Sequence, residues 1–89
     1  MDDKEILSFI KELDAHVPKE KAEAEFAAFG EVALYANKEG YLRMALELMK
    51  CAFDETYNDA DLNYVFNKNS DFGIEHLART KEELKFFSS

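Results

Sequence analysis

Residues 40–53 read GYLRMALELMKCAF and form the most apolar stretch of this 89-residue chain. Leucine, alanine, methionine and phenylalanine recur in it at helical spacing on two faces, and only Arg43, Glu47 and Lys50 are charged. Their spacing of four and three places these charges on one narrow stripe. A helix that is apolar on most of its circumference is normally buried between neighbours. The stretch therefore predicts a helix over residues 41–53 at the centre of the domain.

Proline and glycine predict two further helices before this stretch. Pro18 disfavours helical geometry at the residue before it and fits the first turn of a new helix. One helix is therefore predicted over residues 3–15, capped by an aspartate at position 2 or 3, and a second over residues 18–38. Gly40 is expected to end the second helix as a left-handed residue. The apolar stripe of the second helix consists of Ala22, Phe26, Phe29, Ala33 and Ala36.

The last third of the chain is less regular. A short helix capped by Asp59 is expected there, followed by a loop over residues 67–70. Thr80 and Glu83 have the spacing of a capping box, which predicts a closing helix. No segment shows a convincing alternating strand pattern. The sequence therefore predicts a single all-α domain over residues 1–89, a compact bundle of four to five helices around a central apolar helix hairpin.

The composition argues against several classes of protein. Nineteen acidic and eleven basic residues give a net charge of -8, which disfavours nucleic acid and anionic membranes as partners. No apolar run approaches the roughly 20 residues of a membrane span, and the first residues lack the features of a secretory signal. The single cysteine fits a reducing compartment. We therefore expect a cytoplasmic protein.

Motifs for chemistry are weak in this sequence. Residues 59–63 open like a calcium-binding EF-hand loop, but Tyr64 stands at the turn glycine and Ser70 at the bidentate glutamate. The two histidines and Cys51 do not have the spacing of zinc ligands. The sequence contains no phosphate-binding loop, nucleophile elbow or dinucleotide fingerprint. We therefore expect a protein that is not an enzyme and that uses no cofactor and no metal.

Negative charge is concentrated in residues 54–76, where six acids accompany a single lysine. Such charge steers a basic partner, and tyrosines beside the acids are typical of interfaces. The alternative is that acidic loops only keep a small protein soluble. The first interpretation predicts a non-enzymatic protein that binds a basic protein partner, in one version an immunity or antitoxin protein that neutralises it. The expected contact residues are Asp54, Glu55, Tyr57, Asp59, Asp61, Tyr64 and Asp71.

A second hypothesis comes from a family resemblance. Residues 26–30 (FAAFG), taken with residues 40–53, resemble a single helical hairpin of the tetratricopeptide type. The ring and glycine positions would be Phe26, Phe29 and Gly30, and the small-residue positions Ala45 and Ala52. The resemblance implies a helical adaptor or regulator that binds a peptide through an apolar groove. A homodimer that buries the second face of the helix over residues 41–53 is compatible with either hypothesis.

Overall fold

A computed structural model describes residues 2–58, 60–74 and 77–88, and it has a small α+β fold. The all-α prediction is therefore wrong, because an antiparallel β-hairpin stands where the second helix of a bundle was expected. In chain order the elements are α1 (Asp3–His16), β1 (Ala24–Ala28), β2 (Val32–Ala36), α2 (Lys38–Cys51), a 3-10 turn (Asn63–Val65) and α3 (Lys81–Ser88).

The first helix agrees with its prediction. The Asp2 side chain caps α1 by accepting a hydrogen bond of 2.9 Å from the Glu5 backbone N–H. At the other end, Val17 leaves the helix with extended geometry, as expected for the residue before a proline. Ile10 is fully buried and is the point at which α1 enters the core.

The β-hairpin replaces the predicted second helix because of the turn at Gly30. Gly30 has a φ of +87°, a left-handed conformation that glycine adopts easily and that a helix cannot contain. Three residues, 29–31, connect the strands, and Phe26 lies opposite Leu34 in the register. A glycine in a short connection between two apolar runs is a hairpin signal. The helical spacing of the alanines and phenylalanines around it was coincidental.

The segment 66–71 covers the outer edge of β1, and we call it the sealing segment. Asn67 N–H donates to the Ala24 carbonyl at 2.9 Å, and Asp71 N–H donates to the Phe26 carbonyl at 2.9 Å. The Ser70 hydroxyl accepts from Phe26 N–H at 3.1 Å. In this way the loop predicted over residues 67–70 acts as an irregular third strand beside β1.

The start of α2 also differs from prediction. Gly40 does not end a helix but lies in the first turn of α2, which is capped by Asn37. The Asn37 side chain accepts from Gly40 N–H at 2.7 Å and from Glu23 N–H at 3.0 Å, so it joins the helix to the chain entering β1. A methyl group at Gly40 would overlap the Glu23 carbonyl. Glycine is needed here for close approach.

α2 is not buried between neighbours on most of its circumference, as the sequence predicted. Its charged stripe faces inward: Arg43 is fully buried, and Glu47 and Lys50 are almost so. Much of its apolar surface faces solvent, where Leu42 and Leu48 are about half exposed at 45% and 53%. Among the described residues, the buried apolar core is correspondingly small and consists of Ile10, Ala24, Leu46, Leu62 and Val65.

The end of the chain matches its local signals in part. α3 begins where the capping box predicted, with the Thr80 hydroxyl accepting from Glu83 N–H at 3.1 Å. The short helix expected earlier is a 3-10 turn (Asn63–Val65), and its predicted cap, Asp59, lies outside the described residues. Among the described helices, none has the length and apolar character needed to cross a membrane.

Candidate functional site

Three of the residues predicted to contact a partner are held by hydrogen bonds within the fold. Asp71 accepts from the Ala28 N–H at 2.7 Å and so fastens the sealing segment to β1. Asp61 accepts from the Asn63 N–H at 2.8 Å and shapes the turn before the 3-10 helix. The Tyr64 hydroxyl accepts from Arg43 Nε at 2.9 Å. These side chains are positioned by contacts within the chain, and a fourth predicted residue, Asp59, is not described.

Two of the other predicted residues, Asp54 and Tyr57, lie together at the end of α2. They line a pocket of about 390 Å³ between the end of α2 and the loop that leads to α3. We call it the Asp54 pocket. The described residues that line it are Cys51, Asp54, Tyr57, Asn58, Ala60, Leu77, Ala78 and Arg79.

The Asp54 pocket holds a guanidinium group from the chain itself. Arg79 Nε lies 3.0 Å from an Asp54 carboxylate oxygen, and Arg79 Nη2 donates to the Cys51 carbonyl at the end of α2. The C-terminal end of a helix carries partial negative charge, which favours a cation. Both side chains of the ion pair remain about half exposed, at 46% for Arg79 and 60% for Asp54.

More acidic side chains surround the same end of α2. Glu55 is exposed at the rim, and it shares a neighbouring depression with Asp3 and Asp54. Asp3 arrives from the first turn of α1, more than fifty positions earlier in the sequence. The grouping of Asp54 and Glu55 was visible in the sequence, whereas Asp3 and Arg79 could not be assigned to this site because they come from distant parts of the chain.

The aromatic side of the pocket is formed by Tyr57. Lys50 Nζ lies 5.5 Å from the centre of the Tyr57 ring, within the range of a cation–π contact. Tyr57 itself is partly buried.

Cys51 also lines the pocket and is partly buried. Burial and the charge of Glu47 raise the pKa of the Cys51 thiol. The thiol is therefore protonated at neutral pH, a form that is a poor nucleophile.

A second cluster of ionisable groups lies inside the fold between α1 and α2. Arg43 Nη2 donates to Asp14 at 2.8 Å, and Lys50 Nζ donates to the other Asp14 oxygen at 3.2 Å. Glu47 lies 3.4 Å from Lys50 and 3.8 Å from Arg43. The cluster contains two acids and two bases, so its formal charges balance. We call these four residues the buried ion cluster.

The ion pairs shift the pKa values of Asp14 and Lys50 so that the charged form of each is favoured. Burial alone would raise the pKa of Asp14, but hydrogen bonds from Arg43 and Lys50 outweigh it and the pKa lies below its ordinary value. Burial would lower the pKa of Lys50, but its bond to Asp14 and the charge of Glu47 bring it above its ordinary value. Asp14 and Lys50 therefore both favour their charged forms, and their ion pair joins the two helices.

Comparison with known proteins gives no family for this chain: no family model, curated protein or solved structure matches it. Among the described residues, no group of three or more histidine, cysteine or acidic side chains is arranged to hold a metal ion. The geometry of the Asp54 pocket is therefore the main observation that bears on function.

Proposed function

We propose that this protein is a non-enzymatic protein-binding domain that receives an arginine side chain of a basic protein partner in the Asp54 pocket. The observation that carries the proposal is the guanidinium already held there, between the Asp54 carboxylate and the Cys51 carbonyl. A site that holds Arg79 has the acceptors that an arginine from another protein needs. Arg79 is then an internal occupant that the partner displaces.

The exchange of one arginine for another costs little energy. An exposed ion pair contributes about 0–1 kcal/mol, so releasing Arg79 from Asp54 costs little. The partner's arginine recovers the same contacts, and Tyr57 supplies a ring at the pocket wall. Affinity beyond this single contact has to come from the surrounding surface, where Asp3 and Glu55 add negative charge.

The overall charge supports a basic partner. A chain of net charge -8 attracts a basic protein over distances limited only by ionic screening. An immunity or antitoxin protein that covers a basic active site is one specific version of this proposal. A cytoplasmic setting is part of it, supported by the lone Cys51. The tetratricopeptide-like alternative needs a helix over residues 26–30, where the chain forms β1 and its turn.

The test uses a minimal arginine probe. The peptide GRGRG is titrated into the protein at low salt and followed by NMR, with the same peptide carrying neutral citrulline in place of arginine as control. We expect the arginine peptide to shift the signals of Asp54 and Tyr57, and Asp54→Asn to weaken binding about 2–5-fold. Glu20→Gln removes the same charge from an exposed position outside the pocket and should change binding less.

A second pair of variants tests the displacement step. Arg79→Gln frees the Asp54 carboxylate and should strengthen binding of the peptide. Lys81→Gln removes an equal charge from an exposed neighbouring position, and it should strengthen binding less. Equal effects of Asp54→Asn and Glu20→Gln, or of Arg79→Gln and Lys81→Gln, would show that only net charge matters and would overturn the proposal.

A further inference from the structure

The two outer edges of the β-hairpin differ in how many hydrogen bonds cover them. The outer edge of β1 is covered by the sealing segment, which supplies backbone and side-chain hydrogen bonds along it. The outer edge of β2 has no comparable cover within residues 2–58, 60–74 and 77–88. A strand with a free edge is a template for pairing with another strand.

The register shows which groups the free edge presents. Asn37 N–H donates to the Glu23 carbonyl across the hairpin. In an antiparallel pair every second residue bonds to the facing strand, so Tyr35 and Ala33 also bond to β1. The backbone groups of Val32, Leu34 and Ala36 therefore point outward. In the described chain, the one bond to these groups is that of the Tyr41 hydroxyl, which donates to the Leu34 carbonyl at 3.5 Å. That bond is long enough to be displaced easily.

The chemistry of β2 favours pairing. Its sequence, VALYA, contains neither charge nor proline, the devices that usually protect an edge strand. Val32 and Tyr35 are exposed at 66% and 57%. The strand is thus an apolar, open edge on a chain that is otherwise strongly acidic.

We infer that β2 pairs with β2 of a second copy of this chain, antiparallel and centred on Leu34, to give a continuous four-stranded sheet. In this register the outward groups of Leu34 face those of the other Leu34, and Val32 faces Ala36. Tyr35 lies opposite Ala33, so the large ring meets a small side chain. All three outward-facing residues of each strand find partners, because the strand is complementary to itself in this register.

Charge does not oppose pairing at this edge, although two chains of net charge -8 repel each other over longer distances. The paired strands carry no charge, so no like charges are buried between them. Glu31 precedes β2 and Lys38 begins α2 two positions after it, so antiparallel pairing places the acid of one copy and the base of the other near the same end of the interface.

The exposed area also fits an uncovered interface. The chain exposes 6735 Å², whereas a folded monomer of its mass is expected to expose about 5,400 Å². The excess belongs to the chain as a whole, and it is larger than the roughly 800 Å² that each partner buries in an interface of standard size. A sheet of two strands is also at the lower limit of size, and pairing doubles it.

The test is the mass of the protein in solution, measured by sedimentation equilibrium over a range of concentrations. We expect the native chain to approach twice its monomer mass of 10.3 kDa. Val32→Lys places a charge on the free edge at an exposed position and should return the mass to that of the monomer. Leu48→Lys is the matched control, because it adds the same charge at another exposed apolar position, on the outer face of α2, and it should leave the dimer intact.

A second measurement identifies the edge directly. Dimerisation should slow hydrogen exchange at the amides of Val32, Leu34 and Ala36 as concentration rises. A native chain that stays monomeric at the highest concentration would overturn the inference. So would a dimer that Leu48→Lys dissociates and Val32→Lys does not, since the interface would then be the outer face of α2. Protection that requires a different protein would show that the occupant is not a second copy.

Discussion

The two long helices have the same length, but only α2 buries charged side chains. α1 follows the usual rule: it buries Ile10 and exposes charged residues such as Lys11 and Glu12. α2 buries Arg43 and Lys50 while half of the Leu48 side chain remains exposed. The difference arises from Asp14, which α1 presents to both cations. A charged stripe can face inward when a neighbouring helix supplies the matching charge.

The largest test of this comparison is Arg43→Met. Methionine fills similar space but leaves Asp14 and Glu47 with less positive charge in a buried setting, and breaking a buried ion pair on one side costs about 3–5 kcal/mol. We expect a loss of that size in the free energy of unfolding, measured with urea. The control is the pair Asp14→Leu with Arg43→Met, which removes both partners and should recover at least half of the loss. A loss below about 1 kcal/mol for Arg43→Met would contradict a structural role of the cluster.

A smaller effect is expected from Asp14→Asn. The amide keeps the shape and one acceptor oxygen, so it loses one of the two hydrogen bonds that Arg43 and Lys50 donate to Asp14, a charge-assisted bond of the kind worth about 1.5–3 kcal/mol. Because the folded pKa of Asp14 is lowered, its contribution is present above the unfolded pKa and is lost as the pH falls through the folded pKa. Thermal melts between neutral and acidic pH should therefore show a weaker acid dependence for this variant. An unchanged acid slope would argue against Asp14 as its source.

The smallest effect is expected from Leu48→Lys on the opposite side of the same helix. Surface substitutions away from special features change stability by about 0.5 kcal/mol or less, and we expect this one to do the same in urea unfolding. Together with Arg43→Met it compares the contributions of the inner and outer faces of α2 to the free energy of unfolding. A loss of several kcal/mol would mean that the outer face of α2 is covered in solution.

Local signals in the sequence predicted part of this fold and failed for the rest. Asp2 and Pro18 set the ends of α1, and Thr80 marked the start of α3, because caps and proline act within one turn. The hairpin was missed because alanine-rich strands also satisfy helical spacing, and only Gly30 argued otherwise. The direction of the Arg43 stripe depends on Asp14, a partner far away in the chain that spacing within one helix cannot reveal.

The same limit applies to the candidate site. The local sequence grouped Asp54, Glu55 and Tyr57 because they follow one another at the end of a helix. It gave equal weight to Asp61 and Asp71, whose carboxylates bond to backbone N–H groups of the fold. Acidic residues that shape turns and those that face solvent have the same composition, so only the structure separates them.

The sealing segment has a consequence for how this protein is made. Residues 66–71 are translated after both strands of the hairpin. A ribosome adds roughly 5–20 residues per second, so for on the order of seconds a nascent hairpin has two open edges instead of one. Slow translation between residues 36 and 66 lengthens that interval and with it the time in which neighbouring nascent chains can aggregate. We therefore expect the yield of folded protein to fall when elongation through this part of the message is slowed.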